Sequence, residues 1–387
     1  MQKRILKSDG TPVSLLGMGA MRLPTVNNQA ANIDKEAAFA MFDYAYANGV
    51  NYFDTAYPYH MGQSEIITGE ALSRYPRESW LLANKLPGWL LQEVGDAERI
   101  FNEQLEKCGV EYFDFYLCHN IQKRDLAKYP EFKVMEFLSR MKAEGKIRRL
   151  GFSFHEDIEF LEKVCSYYDW DFGQLQLNYL DWELQDAKTQ YAILEKYNIP
   201  CIVMEPVRGG ALADLCPEAN AIFKNAAPDK SIASWAMRYA ADFPNVLTVL
   251  SGASDMEQMQ DNIRTMSSFA LLNTAEREAI AAALAVFKEK FSLPCTACRY
   301  CMDCPAGIDI PAMLAIYNQY LLSKNGWEYH ACYSGFPEGA RARNCTACGI
   351  CMEHCPQSID IPEQMRRITA ETNKLFKQFT RRRGGDI

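Results

Sequence analysis

The chain has 387 residues, with 41 Lys+Arg against 49 Asp+Glu and a formal net charge of −8. That balance excludes a nucleic-acid binder, which needs a basic face, and the length has room for one large domain and one small one. No run of 18 or more apolar residues occurs, and Met1-Gln-Lys-Arg leads into no signal-peptide core, so a soluble, cytoplasmic protein without a membrane partner is expected.

Residues 1–14, with Asp9-Gly10 at the turn, read as a hairpin that could plug the floor of a barrel. Eight β-like segments follow, at 15–21, 51–56, 80–85, 114–119, 149–154, 174–179, 201–205 and 246–252. Stretches of helical period stand between them at 33–48, 93–108, 133–144, 157–167, 187–197 and 232–241. Strand alternating with helix over about 250 residues predicts an α/β fold, a closed parallel (β/α)8 TIM barrel. An open doubly wound sheet is the competing architecture, but no Gly-x-Gly-x-x-Gly turn follows the first strand. One more helix is expected over 274–291, broken by Leu293-Pro294, which sets a barrel domain at 1–290 and a second domain at 291–387.

Two cysteine runs in that second domain repeat fifty positions apart. They are Cys295-Thr-Ala-Cys298-Arg-Tyr-Cys301-Met-Asp-Cys304-Pro305 and Cys345-Thr-Ala-Cys348-Gly-Ile-Cys351-Met-Glu-His-Cys355-Pro356. Each precedes an Ile-Asp-Ile-Pro segment, at Ile308 to Pro311 and Ile359 to Pro362. Short spacers let a turning backbone offer three sulfurs to one 4Fe-4S cubane, while the fourth cysteine reaches the other cluster. The expected sets are therefore Cys295, Cys298, Cys301 with Cys355, and Cys345, Cys348, Cys351 with Cys304. Two zinc sites are the alternative, although zinc normally takes close pairs set well apart. The first run has two residues rather than three before its last cysteine, so Cys304 departs from the bacterial spacing. Cys108, Cys118, Cys165, Cys201, Cys216 and Cys332 read as buried free thiols of a reducing compartment. The Arg381-Arg382-Arg383 stretch reads as a solvated terminus.

In the barrel, Asp54, Lys85 and His119 end the second, third and fourth strands, and Tyr59 lies in the loop after the second. Each alone has a plain explanation: a loop cap, a solvated lysine, a satisfied core histidine. Titratable groups leaving consecutive strands at one rim should instead converge, because strand C-termini form the site of such barrels. Their chemistry is coherent. A carbonyl receiving hydride needs a proton at its oxygen; Tyr59 would donate it, Lys85 would stabilise the tyrosinate, Asp54 would orient Lys85, and His119 would fix the carbonyl. Trp89, Tyr57, His60 and the segment 121–129 are candidate pocket walls.

At these residues the sequence resembles the aldo-keto reductases. The matching stretches are Asp54-Thr-Ala-Tyr-Pro-Tyr59-His-Met-Gly62-Gln-Ser64-Glu65, Ala83-Asn-Lys85-Leu and Tyr116-Leu-Cys-His119-Asn120. Gly17-Met-Gly19-Ala-Met-Arg22, Gly151-Phe-Ser153 and Gly252-Ala-Ser254 ahead of Asp261-Asn262 match as well. The resemblance covers about residues 3–270 and implies carbonyl reduction with a nicotinamide cofactor extended across the barrel mouth. By position it implies that Ser153 and Gln174 hold the carboxamide and that Asn262 meets the adenine, with Met204, Arg208, Gly252 and Gln258 as further contacts. Otherwise Ser153, Gln174 and Asn262 merely satisfy loop backbone groups.

The match departs from the family at three places. Met204 replaces the usual stacking aromatic, Phe154 replaces Asn, and Asp255 and Gln258 stand where cations would clamp a 2′-phosphate. Either NAD(H) or NADP(H) therefore fits. The C-terminal segment looks like an α-helical dicluster ferredoxin module, and its helix is expected over 311–323.

Nicotinamide moves two electrons as hydride, whereas a cubane passes one at a time. Three functions follow: a carbonyl oxidoreductase with structural or electron-transferring clusters, a reductase fed by ferredoxin without nicotinamide, or a non-catalytic electron carrier. The partners implied are a small carbonyl substrate and a redox protein such as ferredoxin.

Overall fold

The structure, a computed structural model, describes residues 1–289 and 293–383. Strands β1 (Lys3–Ile5) and β2 (Pro12–Ser14) form an antiparallel hairpin. Eight parallel strands then close into a barrel: β3 (Leu16–Gly19), β4 (Tyr52–Asp54), β5 (Leu81–Pro87), β6 (Phe115–His119), β7 (Leu150–Phe154), β8 (Phe172–Gln176), β9 (Cys201–Met204) and β10 (Val246–Ser251). Adjacent strands pair in chain order, and β10 closes on β3. The (β/α)8 expectation holds.

The helices expected over 33–48, 157–167 and 232–241 are present as Lys35–Ala47, Ile158–Tyr167 and Ile232–Ala241. Asp34, Asp157, Ser231 and Asp255 each accept a hydrogen bond from a backbone N–H in the first turn, at 2.8–3.1 Å. The sixth barrel strand differs from expectation: it runs over Phe172–Gln176, not 174–179. The Asn178 side chain takes the backbone N–H groups of Leu180 and Asp181, a local turn that competes with the ladder and ends the strand early.

Alternation along each strand decides what fills the barrel. Tyr52, Ala83, Phe115, Leu117, Phe172 and Ile202 bury together with Leu6 and Val13 of the hairpin, which therefore plugs the floor. Asp9 at the hairpin turn accepts from Arg149 Nε at 2.7 Å and fixes it there. The floor rings of Tyr52, Phe115 and Phe172 meet edge to face at 5.0 and 5.1 Å, each contact worth about 0.5–1.5 kcal/mol beyond its buried area. Gly151 makes room for them, since a Cβ there would lie 2.5 Å from the Phe172 carbonyl oxygen. The outward residues Phe53, Leu82, Tyr116, Phe152, Leu175 and Val203 pack instead with Met41, Phe42, Phe101 and Leu138 of the helical shell.

The chain divides into two compact units, Met1–Arg208 with Ala227–Glu278, and Gly209–Ala226 with Ala279–Ile387. The boundary expected at 290 lies outside the described residues, and the helix expected over 274–291 is described over Thr274–Lys288.

The second unit is helical, with helices at Ile310–Ser323, Gly326–Gly335 and Ile361–Arg383. The two Ile-Asp-Ile-Pro copies do the same work twice. Asp309 and Asp360 cap the helices that follow, while Ile308, Ile310, Ile359 and Ile361 bury in one core with Met313, Leu314 and Met365. Among the described residues no helix is long and apolar enough to cross a membrane.

Candidate active site and cluster sites

Two residues beyond the floor layer, in the same inward phase, come Asp54, Lys85, His119, Gln174 and Met204, and Ser153 stands two beyond Gly151. Period-two geometry therefore brings these side chains to one rim. Lys85 Nζ donates to Asp54 Oδ1 at 2.5 Å and to the Thr55 carbonyl at 2.7 Å, and both charged side chains are almost wholly buried. Burial lowers the Lys85 pKa, and the Asp54 carboxylate opposes that shift.

Tyr59 sits at the start of a tight turn in which His60, Met61 and Gly62 take φ of 52°, 56° and 86°. The His60 ring holds this turn to the Ala30 carbonyl at 2.8 Å and to the Leu23 N–H at 3.1 Å, so it acts as a clamp rather than a wall. Lys85 Nζ lies 4.9 Å from the Tyr59 ring centroid. The His119 ring stands edge-on to Tyr59 at 6.2 Å and 5.0 Å from the Trp89 ring. Burial, then the Lys85 charge, then His155 push the His119 pKa well below its ordinary value, so its imidazole is neutral. The structure brings the four expected groups together, with the Trp89 ring against His119. Tyr57 hydrogen-bonds Glu103 at 3.0 Å.

The residues tied to a nicotinamide by resemblance divide into two groups. Gln174 Nε2 donates to Asp54 Oδ2 at 3.2 Å, and Ser153 Oγ accepts the Asn120 N–H at 2.7 Å, both at the rim. Met204 is half-buried at the end of β9, and Gly252 lies beside Arg22, which pairs with Glu205 at 2.7 Å. Asn262 Nδ2 donates to Ser251 Oγ at 2.6 Å, while Gln258 binds the Asp255 carboxylate at 2.7 Å. Arg208 is different: it is fully buried, with Nε 2.9 and 3.0 Å from the Asp181 oxygens. Its charge holds the chain after β9 in place.

Two features went unread in the sequence. Behind Lys85 lies a buried polar cluster in which Glu65 accepts from Asn84 and Gln104, each at 2.9 Å, and Gln104 donates to the Lys85 carbonyl at 2.9 Å. Burial raises the Glu65 pKa. At the mouth, burial pushes the His155 pKa down to about 4. Glu65 ends a motif that was read and His155 follows Phe154, but the role of Glu65 depends on partners from the next strand and helix.

In the second unit, Cys295, Cys298, Cys301 and Cys355 line a shallow hollow with Leu314, Ile359 and Ile361. The Cys301 pKa is raised by burial and then by Cys298, Cys295 and Cys355. The Cys351 thiol is pushed up to about 11 by burial and then by Cys304, Cys345 and Cys348. Each set thus gathers three sulfurs of one run and the last sulfur of the other, the donor set of a 4Fe-4S cubane. Cys304 joins its set despite the short spacer. Of the six other cysteines, five are buried but Cys332 is exposed, against expectation; its helix turns that position outward.

Residues 15–285 match the model of the aldo/keto reductase family, and residues 294–361 match that of the 4Fe-4S dicluster domain. The second match decides for iron–sulfur over zinc and implies two 4Fe-4S clusters. The chain is 23% identical over 317 residues to the NADH-specific methylglyoxal reductase of Escherichia coli, covering 69% of this chain and 94% of that protein. It is 25% identical over 288 residues to L-galactose dehydrogenase of Arabidopsis thaliana, covering 69% and 88%.

Among solved structures, the holo form of aldo-keto reductase AKR11C1 from Bacillus halodurans matches with a TM-score of 0.61 at 23% identity, over 73% of this chain and 96% of that one. An aldo/keto reductase from Klebsiella pneumoniae in complex with NADP and acetate matches with a TM-score of 0.58 at 20% identity, over 74% and 96%. These structural likenesses bear on the fold alone.

Proposed function

The chain belongs to the aldo/keto reductase family and is an oxidoreductase fused to a 4Fe-4S dicluster domain; we propose that it reduces a small aldehyde or ketone, with NAD(H) preferred over NADP(H). The observation that carries this reading is the buried Lys85 ammonium, 2.5 Å from Asp54 and 4.9 Å from the Tyr59 ring centroid. A bound nicotinamide supplies the hydride. Tyr59 gives its phenolic proton to the carbonyl oxygen, and the Lys85 cation stabilises the phenolate left behind. Asp54 and the Thr55 carbonyl keep that cation in position. The neutral His119 donates a hydrogen bond to the same oxygen and orients it against Tyr59 without competing as an acid.

The rim residues fit a nicotinamide ring. Ser153 and Gln174 are buried polar groups on adjacent strands, Gln174 beside Asp54, where a carboxamide needs partners, and Met204 offers a soft apolar surface. Arg208 does not fit the role, being committed to Asp181. At the adenosine end, the Asp255 carboxylate caps the helix Met256–Ser267 and takes both the backbone and side-chain N–H of Gln258. A 2′-phosphate there would face negative charge at a helix terminus that is already capped, which favours NAD(H). The name of the E. coli relative points the same way and makes methylglyoxal the first substrate to test.

The test is anaerobic turnover of reconstituted protein with methylglyoxal and NADH or NADPH. NADH should support the faster rate, and Tyr59→Phe should lose turnover while still binding NADH. Unchanged turnover in Tyr59→Phe would overturn the reading.

A further inference from the structure

We propose that the second cysteine set, Cys345, Cys348, Cys351 and Cys304, is the port at which a small acidic one-electron carrier protein exchanges electrons with this chain, docked against the basic terminal helix. The proposal rests on these cysteines holding a 4Fe-4S cluster. It begins from an asymmetry between two loops of nearly the same sequence.

In the first loop Thr296 is 2% exposed, and Cys298, Tyr300 and Met302 are half-buried. At the matching positions of the second loop, Thr346 and Cys348 are exposed, and Ile350 and Met352 are 39% and 44% exposed. The cause of the difference is local. Gly209, at φ 63°, lies so close to the first loop that a Cβ would sit 2.1 Å from the Thr296 carbonyl oxygen. Gly209, part of the same unit, therefore covers Thr296, whereas the matching Thr346 is exposed. Electron tunnelling between proteins needs a thin insulating layer, and the exposed ligand position Cys348, with Ile350 and Met352 exposed in the same loop, offers one.

Charge selects the partner. The helix Ile361–Arg383 carries seven basic and two acidic residues in a chain of net charge −8. The side chains of Arg366, Arg367 and Lys374 are 71%, 57% and 64% exposed. Their pairs with Glu363 and Glu371 are one helical turn apart and the cations stand in solvent, so each pair is weak and leaves the cation accessible to a partner's carboxylates. The turn Ala342–Asn344, which leads into Cys345 and carries the exposed Arg343, packs on the same helix. An exposed loop that carries Cys348, Ile350 and Met352, in a unit whose terminal helix is basic, suits a small transient interface in which charge sets the encounter rate. In the transfer the reduced carrier loses one electron and the cluster at Cys348 gains it; no atom or proton moves.

The experiment is anaerobic stopped-flow reduction of the full-length holoprotein by a reduced acidic ferredoxin, read by cluster absorbance and freeze-quench EPR. The second-order rate should fall at least tenfold between about 0.02 and 0.5 M salt. Charge reversal in Arg366→Glu/Arg367→Glu/Lys374→Glu should lower the low-salt rate at least tenfold, and Ile350→Asp should lower it at every salt. Reduction by dithionite and the EPR of both clusters should stay as in the parent protein.

Two intact clusters with a salt-independent rate that charge reversal leaves unchanged would overturn the port alone. Wild-type protein that holds no 4Fe-4S centre in the second set would overturn the cluster assignment and the port with it. Binding of the helix to anionic vesicles, with no effect of charge reversal on ferredoxin reduction, would assign the basic face to a lipid surface instead.

Discussion

In the barrel, the buried ammonium of Lys85 meets the buried carboxylate of Asp54 at 2.5 Å, so the site is electrically complete within the chain. In the C-terminal unit, eight thiols face one another in two sets, and burial and mutual repulsion push Cys301 and Cys351 away from the thiolate form. Iron must supply the positive charge that makes eight thiolates tolerable there. The barrel site is thus preorganised by folding, whereas folding of the C-terminal unit is linked to metal.

The largest test of that contrast is iron removal. Structural metal sites contribute on the order of 10 kcal/mol to small domains, so chelation should abolish hydrogen-exchange protection over 293–383 and leave the amides of β4 to β6 protected. Protection lost or kept equally in both units would break the contrast.

A smaller effect is expected inside the barrel. Arg208→Met leaves the Asp181 carboxylate buried without its cation and should cost about 3–5 kcal/mol in urea unfolding of the barrel, with the clusters still visible by EPR. Asp181→Asn/Arg208→Met, which removes both charges, should recover part of that loss. A single variant as stable as the parent protein would mean that Arg208 is not committed to Asp181.

Asp255→Lys tests the adenosine end. Replacing the capping carboxylate by a cation should raise the ratio of kcat/KM for NADPH over NADH about tenfold, or about 1.4 kcal/mol. An unchanged ratio would place the cofactor's ribose elsewhere.

The barrel should also show a pH dependence. Burial lowers the pKa values of His60, His119 and His155, the last to about 4. Between there and about 6.5 the unfolded chain binds more protons than the folded one, so barrel stability is full above that window and falls as the pH drops through it. Each buried imidazole contributes at most about 1.4 kcal/mol per pH unit. His155→Gln should flatten the slope; a slope identical to the parent's would remove His155 from the account.

Most of this architecture was legible because its signals are short-range. The helical stretches over 33–48 and 157–167 are read from a local apolar period, and the rim groups Asp54, Lys85 and His119 follow from a period of two. The cysteine spacing likewise anticipated both sets, including the crossing of Cys304 and Cys355. What stayed hidden depends on distant partners. Arg208 looked like a ligand group because nothing near it in sequence announces Asp181, 27 residues away. Glu65 lies inside a motif that was read, yet its partners Asn84 and Gln104 come from the next strand and helix. The end of β8 was misplaced because Leu177, Tyr179 and Leu180 continue an apolar run, while Asn178 turns the chain. The cover that Gly209 provides over Thr296 has no local signature at all.

The central claim is that a buried cation prepares Tyr59 to release its proton. Single-turnover hydride transfer in Lys85→Met/Asp54→Asn, which removes the buried pair without leaving an unpaired charge, tests it most directly. The account predicts that this variant binds NADH and keeps its fold but transfers hydride to methylglyoxal at least about a hundredfold more slowly than the parent protein. Transfer at the parent rate would contradict it.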